Sequence, residues 1–409
     1  MSVLRNAELR LPLMRVVDVA PACATPAEVA EHLAALLADV ETQQRSVRVL
    51  RRMAAATALR DATGLVVFGG VRRMARRFIV GETAAESIST LRRLWRRGTA
   101  MSVDLLGEKT ATPEEGEAYL MRCEETLMTL ATAAKAWPER PLLEHDAAGE
   151  LPRANLSVKV TALTPLVRPE APERGRADAA EPLRRVLRQA CEVGAHLHID
   201  MEWFDAHELV LGLALETLAE PEFASGPSAG IVLQGYLCDS EVELERILDW
   251  ARATPRASPL TVRLVKGAYW DHEWIEAVRN GWTPPVWTEK SESDRCFERL
   301  TRRLIDAFPL VRTAVASHNP RSVAHAVVYA RNAGLAPNDL EIQVLRGLGD
   351  GLRDALAAEG LRVRTYCPVG QLVEGMSYLV RRLLENSSND SFLARRASGA
   401  ELDQLLACP

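Results

Sequence analysis

The chain has 409 residues, of which 47% are hydrophobic, and this is enough to bury a substantial core. Its formal net charge of −5 gives it no general attraction to nucleic acid or to anionic membranes. The seven cysteines are scattered and include no C-x-x-C pair, which argues against a disulfide framework and a zinc site and favours a reducing, cytoplasmic location.

The first 17 residues contain three arginines and a glutamate among their apolar residues, so they do not form the core of a signal peptide. No later segment offers 18 uninterrupted apolar residues. We therefore expect a cytoplasmic protein whose contact with a membrane is at most peripheral, at the inner face of the cytoplasmic membrane.

Residues 1–100 are predicted to form a helical arm. Pro26 to Val40 has the spacing of an amphipathic helix behind the cap residue Thr25. Five arginine pairs follow, at residues 51–52, 72–73, 76–77, 92–93 and 96–97. A basic arm could contact nucleic acid or lipid headgroups. Because acidic residues intervene and no DNA-reading motif is present, we interpret the pairs as solvated helix faces and expect no nucleic-acid partner.

Strand-like and helix-like segments alternate from Met101 onwards. The eight strand-like runs are Met101–Leu106, Leu156–Val160, Ala195–Asp200, Ile231–Gln234, Leu260–Lys266, Thr313–His318, Leu340–Leu345 and Leu361–Tyr366. Helix-period segments between them include Pro182–Glu192, Glu241–Ala253, Ser293–Phe308, Arg321–Ala333 and Gly351–Glu359. The pattern predicts an α/β protein with a (β/α)8 barrel over residues 101–395 and a C-terminal tail at 396–409. A doubly wound open sheet is the alternative, because strand count does not prove closure.

The connection from Thr164 to Ala180 contains three prolines among charges, and it is predicted to be an exposed loop that could act as a lid. The segment G-L-G-D-G-L, from Gly347 to Leu352, lies between a strand and a helix but lacks the G-x-G-x-x-G spacing. We interpret it as a tight turn and not as a dinucleotide site. No metal-binding constellation is visible.

Polar side chains stand at the ends of the strand-like runs. Asp200, Gln234, Lys266, His318 and Tyr366 each occupy the last position of a run, and Lys159 stands one position before the end. In a (β/α)8 barrel these positions converge on one mouth, where the active sites of the fold are built. Lys159 and Lys266 are also two of only five lysines among 50 basic residues, which favours a need for a compact ammonium there.

Five motifs then suggest a family. They are N-L-S-V-K-V-T-A-L (Asn155–Leu163), H-I-D-M-E (His198–Glu202), R-L-V-K-G-A-Y-W-D (Arg263–Asp271), S-H-N (Ser317–Asn319) and Y-L-V-R-R-L-L-E-N (Tyr378–Asn386). Together they resemble the FAD-dependent proline dehydrogenases, above all the proline dehydrogenase half of the bifunctional proline utilisation flavoenzymes. The resemblance runs in order from about Phe78 to Ala394.

The resemblance implies a distorted (β/α)8 barrel that oxidises L-proline to 1-pyrroline-5-carboxylate. It implies that hydride passes to FAD and electrons to a membrane quinone. No aldehyde dehydrogenase segment occurs within the 409 residues. The chain is therefore expected to be either a monofunctional enzyme with a glutamate semialdehyde dehydrogenase as downstream partner, or part of a bifunctional one.

The resemblance also assigns residues to roles. The clamp on the substrate carboxylate would be Lys159, Arg381 and Arg382. The rest of the pocket would be Asp200, Tyr269, Leu345, Tyr366 and Glu385. The flavin contacts would be Gln234, Arg263, Lys266, Gly267, Trp270, Thr288, Lys290 and His318.

Each role has a plainer alternative. Asp200 orients a cation or a tyrosine hydroxyl, or it caps the helix after its strand. Tyr366 packs on proline and excludes a 4-hydroxyl group, or it is a core aromatic. Arg381, Arg382 and Glu385 bind substrate, with Glu385 orienting Arg381 one helical turn away, or they form an ordinary helix end.

Two other functions are left open by the sequence. The barrel could be a non-catalytic flavin sensor. It could instead oxidise a related cyclic amino acid such as hydroxyproline or pipecolate.

Overall fold

The computed structural model describes residues 12, 15–17, 19–38, 40, 45–107, 109–371, 375, 378, 401 and 405–409. They fall into two compact units. One holds the described residues of Met1–Thr83 and Gly370–Leu405, and the other holds Ala84–Val369 and Leu406–Pro409. The boundary between the two units, at Thr83 and Ala84, lies before the predicted boundary at residue 100. The reason is that the helix that starts at Ala84 packs against the first barrel strand.

The first unit, called the arm below, contains three described helices: α1 (Pro26–Leu36), α2 (Arg45–Ala55) and α3 (Arg60–Phe78). Single 3₁₀ turns occur at Ala20–Ala22 and Thr57–Leu59. The Thr25 hydroxyl accepts a hydrogen bond of 3.3 Å from the Glu28 N–H, as predicted for a helix cap. Helices α2 and α3 both pack against α1, and Leu33 and Leu37 lie in the core between them.

Eight parallel strands form the second unit's barrel. They are β1 (Ala100–Leu105), β2 (Asn155–Lys159), β3 (His196–Asp200), β4 (Ser228–Gln234), β5 (Leu260–Val265), β6 (Val311–Ala316), β7 (Leu340–Leu345) and β8 (Arg362–Val369). Because β1 pairs with both β8 and β2, the sheet is closed. This confirms the predicted (β/α)8 class and excludes the open sheet.

Helices surround the barrel. They are α4 (Ala84–Arg96), α5 (Pro113–Ala134), α6 (Pro172–Val193), α7 (Phe204–Leu218), α8 (Ser240–Ala253), α9 (Trp270–Asn280), α10 (Lys290–Asp306), α11 (Pro320–Asn332) and α12 (Asp350–Ala358). Short turns of helix occur at Pro141–Glu144, Val160–Leu163 and Pro221–Phe223. The turn before α12 is tight, as predicted, with Gly347 at a φ of 81°.

The prediction for Thr164–Ala180 was wrong. Helix α6 begins at Pro172, and the Thr164 side chain, buried ahead of it, donates a hydrogen bond to Asp178. Proline at the first turn of a helix costs no hydrogen bond, so the prolines did not forbid this helix. Pro182 inside α6 does remove one, but the tertiary packing of Leu183 and other buried residues keeps the helix continuous.

The amino end of the barrel is closed by a buried ion cluster. A two-residue hairpin, His145–Asp146 with Gly149–Glu150, brings the Asp146 carboxylate beneath the strands. Arg312 of β6 donates to it at 2.9 and 3.2 Å, and Arg362 of β8 donates at 3.1 Å. All three side chains are almost inaccessible to solvent, so the described residues fill this end.

No described helix combines the length and the apolar content needed to cross a bilayer. All seven cysteines are free thiols. No group of histidine, cysteine or carboxylate side chains within the described residues is arranged to hold a metal ion.

Candidate active site

Charged side chains from four strands meet inside the carboxyl end of the barrel. Lys159, at the end of β2, donates a hydrogen bond from its ammonium to Asp104 of β1. Asp200, at the end of β3, accepts 2.6 Å hydrogen bonds from the Arg263 guanidinium and from the Tyr366 hydroxyl. The Arg263 guanidinium also lies 5.3 Å from the centre of the Tyr366 ring. The five residues form one group, called the mouth cluster below.

This geometry decides the structural alternative for Asp200. Asp200 is not a helix cap, because α7 begins at Phe204 and its N-cap is Trp203. The aspartate instead orients a cation and a tyrosine hydroxyl, as one of the two predictions stated. Tyr366 is half-buried, with its hydroxyl committed to Asp200.

Arg263 is held rigidly because its guanidinium has partners on several sides. Its Nε donates to Gln343 at 2.6 Å, and its Nη2 donates to the Ser157 hydroxyl at 3.2 Å. Gln343 in turn donates to Glu341, which is paired with Arg364 by two hydrogen bonds of 2.8 and 2.9 Å. Because Arg263 is only 4% exposed, a stable buried cation is built into this end of the barrel.

Lys159 remains charged despite its burial. Burial alone would lower its pKa, but the carboxylates of Asp104 and Asp200 outweigh that effect and raise the pKa above its usual value. The pKa of Asp104 is raised by burial, an effect that the Lys159 ammonium partly offsets. An ammonium has three donor hydrogens, and Asp104 accepts only one of them. The mouth cluster can therefore offer a charged donor to an anion.

Two histidines line the barrel below Asp200, since alternate residues of β3 face the same side. His198 Nε2 lies 3.1 Å from the Ile231 carbonyl oxygen, so this nitrogen carries the proton. His198 Nδ1 then accepts from His196 Nε2 at 3.2 Å, and His196 Nδ1 accepts from the Ser228 hydroxyl at 2.9 Å. Burial, followed by the nearby arginines, holds both pKa values well below the usual range, which keeps both rings neutral.

A second cationic group follows β5. The Lys266 and Lys290 ammonium groups both donate to the carboxylate of Asp294, the latter at 2.6 Å. Burial lowers the pKa of Lys266, and Asp294 opposes that effect. Burial alone would raise the pKa of Asp294, but the two lysines outweigh it and lower the pKa. Lys290 opens α10, so two cations lie at the positive end of a 17-residue helix, which suits phosphate groups.

Gly267 lies where the chain passes closely over an aromatic ring. Its φ is 138°, and a Cβ there would come within 2.4 Å of the Tyr236 ring. Tyr236 also belongs to a small apolar cluster with Leu237, against which Trp270 packs. The Trp270 indole N–H donates to the Trp287 carbonyl at 2.8 Å. Glycine is therefore required at position 267 by both conformation and space.

The Gln234 amide is oriented by a histidine that the sequence did not single out. Its Nε2 donates to the Glu202 carbonyl at 2.9 Å, so its oxygen accepts from His207 Nδ1 at 3.1 Å. His207 Nε2 donates to Glu243. Burial would lower the pKa of His207, but the Glu243 carboxylate raises it, which favours the doubly protonated ring.

The other predicted site residues that the structure describes lie at the following places. His318 Nε2 accepts a 2.8 Å hydrogen bond from the Leu345 backbone N–H. Tyr269 packs edge-on against Trp203, with ring centres 6.2 Å apart. Thr288 is exposed in the bend before α10. Arg381, Arg382 and Glu385 lie outside the described residues.

The strand ends differ slightly from the prediction. Asp200 and Gln234 do end their strands. Lys159 was expected one position before the end of its strand but is the last residue of it, while Lys266 lies one residue and His318 two residues beyond theirs. Tyr366 lies inside β8, which runs on to Val369. The sequence analysis missed Asp104, Asp294 and His207. Asp104 could have been found, because it is a carboxylate inside the apolar run M-S-V-D-L-L.

The fold and the site define a (β/α)8-barrel protein with a buried cation–carboxylate cluster at the carboxyl ends of its strands. Comparison with known proteins gives the family. Residues 87–395 match the family described as "Proline dehydrogenase", and residues 2–78 match "Proline utilization A N-terminal domain". The chain belongs to the proline dehydrogenase family, whose members are flavin-dependent.

Individual relatives agree with this family. "Bifunctional protein PutA" of Escherichia coli is 30% identical over 83% of this chain and 25% of its own length. "Proline dehydrogenase 1" of Bacillus subtilis is 26% identical over 80% of this chain and 91% of its own. The solved proline utilization A of Bdellovibrio bacteriovorus, inactivated by N-propargylglycine, matches with a TM-score of 0.90 and 35% identity, covering 100% of this chain and 40% of that one. The chain thus spans about a quarter of the length of the first curated relatives.

Proposed function

We propose that this protein oxidises L-proline to 1-pyrroline-5-carboxylate with FAD as cofactor and passes the electrons to a membrane quinone. The product would then go to a glutamate semialdehyde dehydrogenase. The observation that supports this best is the mouth cluster. It holds a charged lysine and a fixed arginine beside a tyrosine ring at the active-site end of the barrel.

The substrate demands such a cluster. Proline has a carboxylate, an amine and an apolar ring, and hydride can leave C5 only when the ring nitrogen has lost its proton. Lys159, kept charged by its two carboxylate neighbours, is suited to bind the substrate carboxylate. The Tyr366 ring offers an apolar face for the pyrrolidine, and its hydroxyl is fixed by Asp200.

The residues around β4, β5 and α10 fit a flavin dinucleotide. Lys266 and Lys290 suit phosphate groups at the start of α10. The oriented amide of Gln234 offers hydrogen bonds to a polar ring edge. When bound, FAD supplies the acceptor for the hydride. Arg263 would stabilise negative charge that develops near it, because its partners fix its position before the reaction starts.

Anaerobic mixing with L-proline tests the proposal. We expect the purified protein to be yellow and its flavin absorbance to bleach when proline is added. An unbleached spectrum would support the sensor alternative and reject the enzyme. The same assay with trans-4-hydroxy-L-proline and pipecolate gives kcat/KM for the related substrates. A higher value for either than for proline would replace the proposed substrate.

The variant Lys159→Met tests the role of the ammonium. It keeps the length of the side chain but removes the charge, so kcat/KM for proline should fall about tenfold to a hundredfold, mainly through KM. Lys135→Met, at an exposed position on the barrel unit, is the matched control and should leave kcat/KM unchanged. If the two variants had the same kcat/KM for proline, Lys159 would not be part of the substrate site.

A further inference from the structure

A line of four hydrogen-bonding groups leads from the barrel mouth into the surrounding helices. The Glu202 carbonyl accepts from Gln234 Nε2 at 2.9 Å, and Gln234 Oε1 lies 3.1 Å from His207 Nδ1. His207 Nε2 in turn contacts the Glu243 carboxylate. Gln234 ends β4, whereas His207 belongs to α7 and Glu243 to the first turn of α8, and all three side chains are buried. Two outer helices are thus connected to the end of one strand.

The chemistry of these groups fixes the protonation of His207. A carbonyl oxygen only accepts hydrogen bonds, so the amide nitrogen of Gln234 faces Glu202 and the amide oxygen faces His207. That oxygen also only accepts, so His207 Nδ1 carries a proton. The Glu243 carboxylate, at the start of a helix where negative charge is favoured, accepts from His207 Nε2. The ring is therefore a cation with both nitrogens protonated.

The charged neighbours of this ring are mainly acidic. Burial would lower the pKa of His207, but the hydrogen bond and charge of Glu243, followed by the charge of Asp239, outweigh burial and raise the pKa. Glu273 of α9 also interacts electrostatically with the ring, and the Arg246 guanidinium of α8 interacts with Glu243. Carboxylates from two helices thus stabilise the positive charge of the imidazolium.

Gln234 lies between the two cationic groups of the proposed site. Strand β4 pairs with β3, which ends at Asp200, and with β5, which leads to Lys266. Alternate residues of β4 share a face, and a Cβ at Gly230 would come within 2.4 Å of His198 in the barrel interior. Gln234 therefore faces the same interior, at the carboxyl end of the barrel. One of its two Nε2 hydrogens is donated to the backbone carbonyl, and no described residue accepts the other.

A packing role alone does not account for this arrangement. Removing charges from water is costly, and a buried ion pair is often no more stabilising than apolar side chains of the same size. The Glu243 Oε1 atom is also buried, with no hydrogen-bond partner among the described residues. A buried oxygen without a partner lowers stability. The orientation and the charge that His207 gives to Gln234 therefore explain the pair better than stability does.

We propose that His207 and Glu243 are positioning residues that act on the flavin through Gln234. The imidazolium holds the amide in one orientation, with its remaining N–H toward the barrel mouth. Its charge also polarises the amide and strengthens that N–H as a donor to the polar edge of the flavin ring. A stronger donor stabilises the negative charge that the ring gains on reduction. This role rests on the flavin site of the proposed function, but it does not depend on which substrate donates the hydride.

Nitrogen-15 labelling of histidine in the full chain tests the charge of the ring. We expect both His207 nitrogens to show the chemical shifts of an imidazolium at pH 7, and His207→Gln identifies these signals by their loss. In Glu243→Gln the ring should lose its proton at a lower pH, because the carboxylate that raises its pKa is gone. A His207 ring with a single proton at pH 7 in the unaltered protein would overturn the proposal. The measurement requires neither flavin nor catalysis.

Two variants separate the orientation of the amide from the charge behind it. In Glu243→Gln the new amide can donate to His207 Nε2, so a neutral ring still donates from Nδ1 to Gln234. The Kd of oxidised FAD should stay nearly unchanged. The midpoint potential of the bound flavin should fall by about 30 mV, which is a tenfold change in the equilibrium constant of a two-electron couple. His207→Gln removes the charge and the link between both partners, so it should lower the potential similarly and also raise the Kd about tenfold.

The barrel unit offers matched controls at exposed positions. Glu245→Gln lies two residues beyond Glu243 on α8 and removes an exposed ion pair with Arg303, and His145→Gln changes an exposed histidine. Both should keep the Kd and the potential of the unaltered protein. Urea denaturation measures the stability of every variant. If His207→Gln and Glu243→Gln only lost stability, with Kd and potential unchanged, or if the controls changed equally, the proposal would be rejected.

Addition of L-proline separates this role from the proposed function. If the flavin is not bleached but its potential falls in the two variants, the proposed function fails and the role of His207 stands. If proline bleaches the flavin but the potential is the same in all variants, the proposed function stands and the role of His207 fails. A folded chain that binds no FAD would reject both.

Discussion

Asp104 keeps Lys159 charged inside the barrel. Its carboxylate is almost fully buried and accepts a hydrogen bond directly from the ammonium. Removing one partner of a buried ion pair is costly, because the other charge is left without compensation. Asp104 is therefore a positioning residue for Lys159 in the proposed site.

Asp104→Asn tests this dependence. The free energy of unfolding should fall by about 3 kcal/mol, as measured by urea denaturation. Burial would then lower the pKa of Lys159 relative to the unaltered protein, so the lysine would lose its proton at a lower pH. The alkaline limb of kcat/KM for proline should consequently shift to lower pH. A merely structural role would reduce stability without moving this limb.

Glu208→Gln is the comparison variant for Asp104→Asn. It removes an ion pair with Arg246 that is exposed to solvent, 2.7 Å between the nearest atoms. Exposed pairs contribute under about 1 kcal/mol, so this variant should unfold nearly as the unaltered chain does. A similar loss in both variants would show that the Asp104–Lys159 pair contributes no more than a surface pair.

The segment that joins β5 to α9 depends on Gly267. Its backbone has a φ of 138°, which side chains rarely permit, and the Tyr236 ring occupies the space that a Cβ would need. This segment also leads from Arg263 and Lys266 to Trp270. Displacing it would therefore alter both cationic groups of the proposed site.

Gly267→Ala should lower the free energy of unfolding by more than about 3 kcal/mol, since backbone strain and overpacking add. It should also reduce the amount of flavin that purifies with the protein. Gly281→Ala is the control, because Gly281 has a positive φ of 68° but open space around it. Strain alone should cost about 1 kcal/mol there. Urea denaturation and the visible spectrum measure both effects.

The helices and strands show how much of the fold could be predicted from the sequence. All eight strands were predicted, because buried strands bounded by polar residues leave a clear apolar pattern. Helix α6 was only half predicted, because local proline content suggested a loop while tertiary packing decided the outcome. Strand ends were uncertain by one to three residues, as the position of Tyr366 within β8 shows.

Part of the mouth cluster was also visible in the apolar pattern of the strands. Lys159, Asp200 and Arg263 were visible because charges inside apolar runs are unusual. Their partners were not visible, because the pairing of Lys159 with Asp104 depends on β1 lying beside β2 in the closed sheet. Asp294 was missed because it lies on a helix, where a carboxylate attracts no notice.

Stability of the whole molecule should depend on the neutral histidines of the barrel axis. The folded-state pKa values of His196 and His198 lie well below 6.5, mainly through burial. Below pH 6.5 the unfolded chain therefore binds more protons than the folded one. The folded state consequently becomes less stable as the pH is lowered. The folded-state pKa of His207 is raised instead. Its contribution to stability is constant below pH 6.5 and is lost as the pH rises from there through its folded-state pKa, a range in which only the folded state is protonated.

Urea denaturation between pH 7 and pH 5 measures this effect. Each of the two imidazoles should contribute a loss of about 1.4 kcal/mol per pH unit below its unfolded pKa. Nitrogen chemical shifts should show both rings still neutral at pH 6 in the folded protein. His32→Asn, at an exposed position in the arm, should leave the pH profile unchanged. A flat profile over this range would contradict the assignment of neutral rings.

The closed amino end of the barrel determines how substrate could enter the proposed site and how product could leave it. Since Asp146, Arg312 and Arg362 fill that end within the described residues, substrate and product would reach the mouth cluster from the carboxyl end. A new proline molecule then cannot enter until the previous product has departed. Turnover in the proposed reaction should accordingly slow when product accumulates, because the two compete for the mouth cluster.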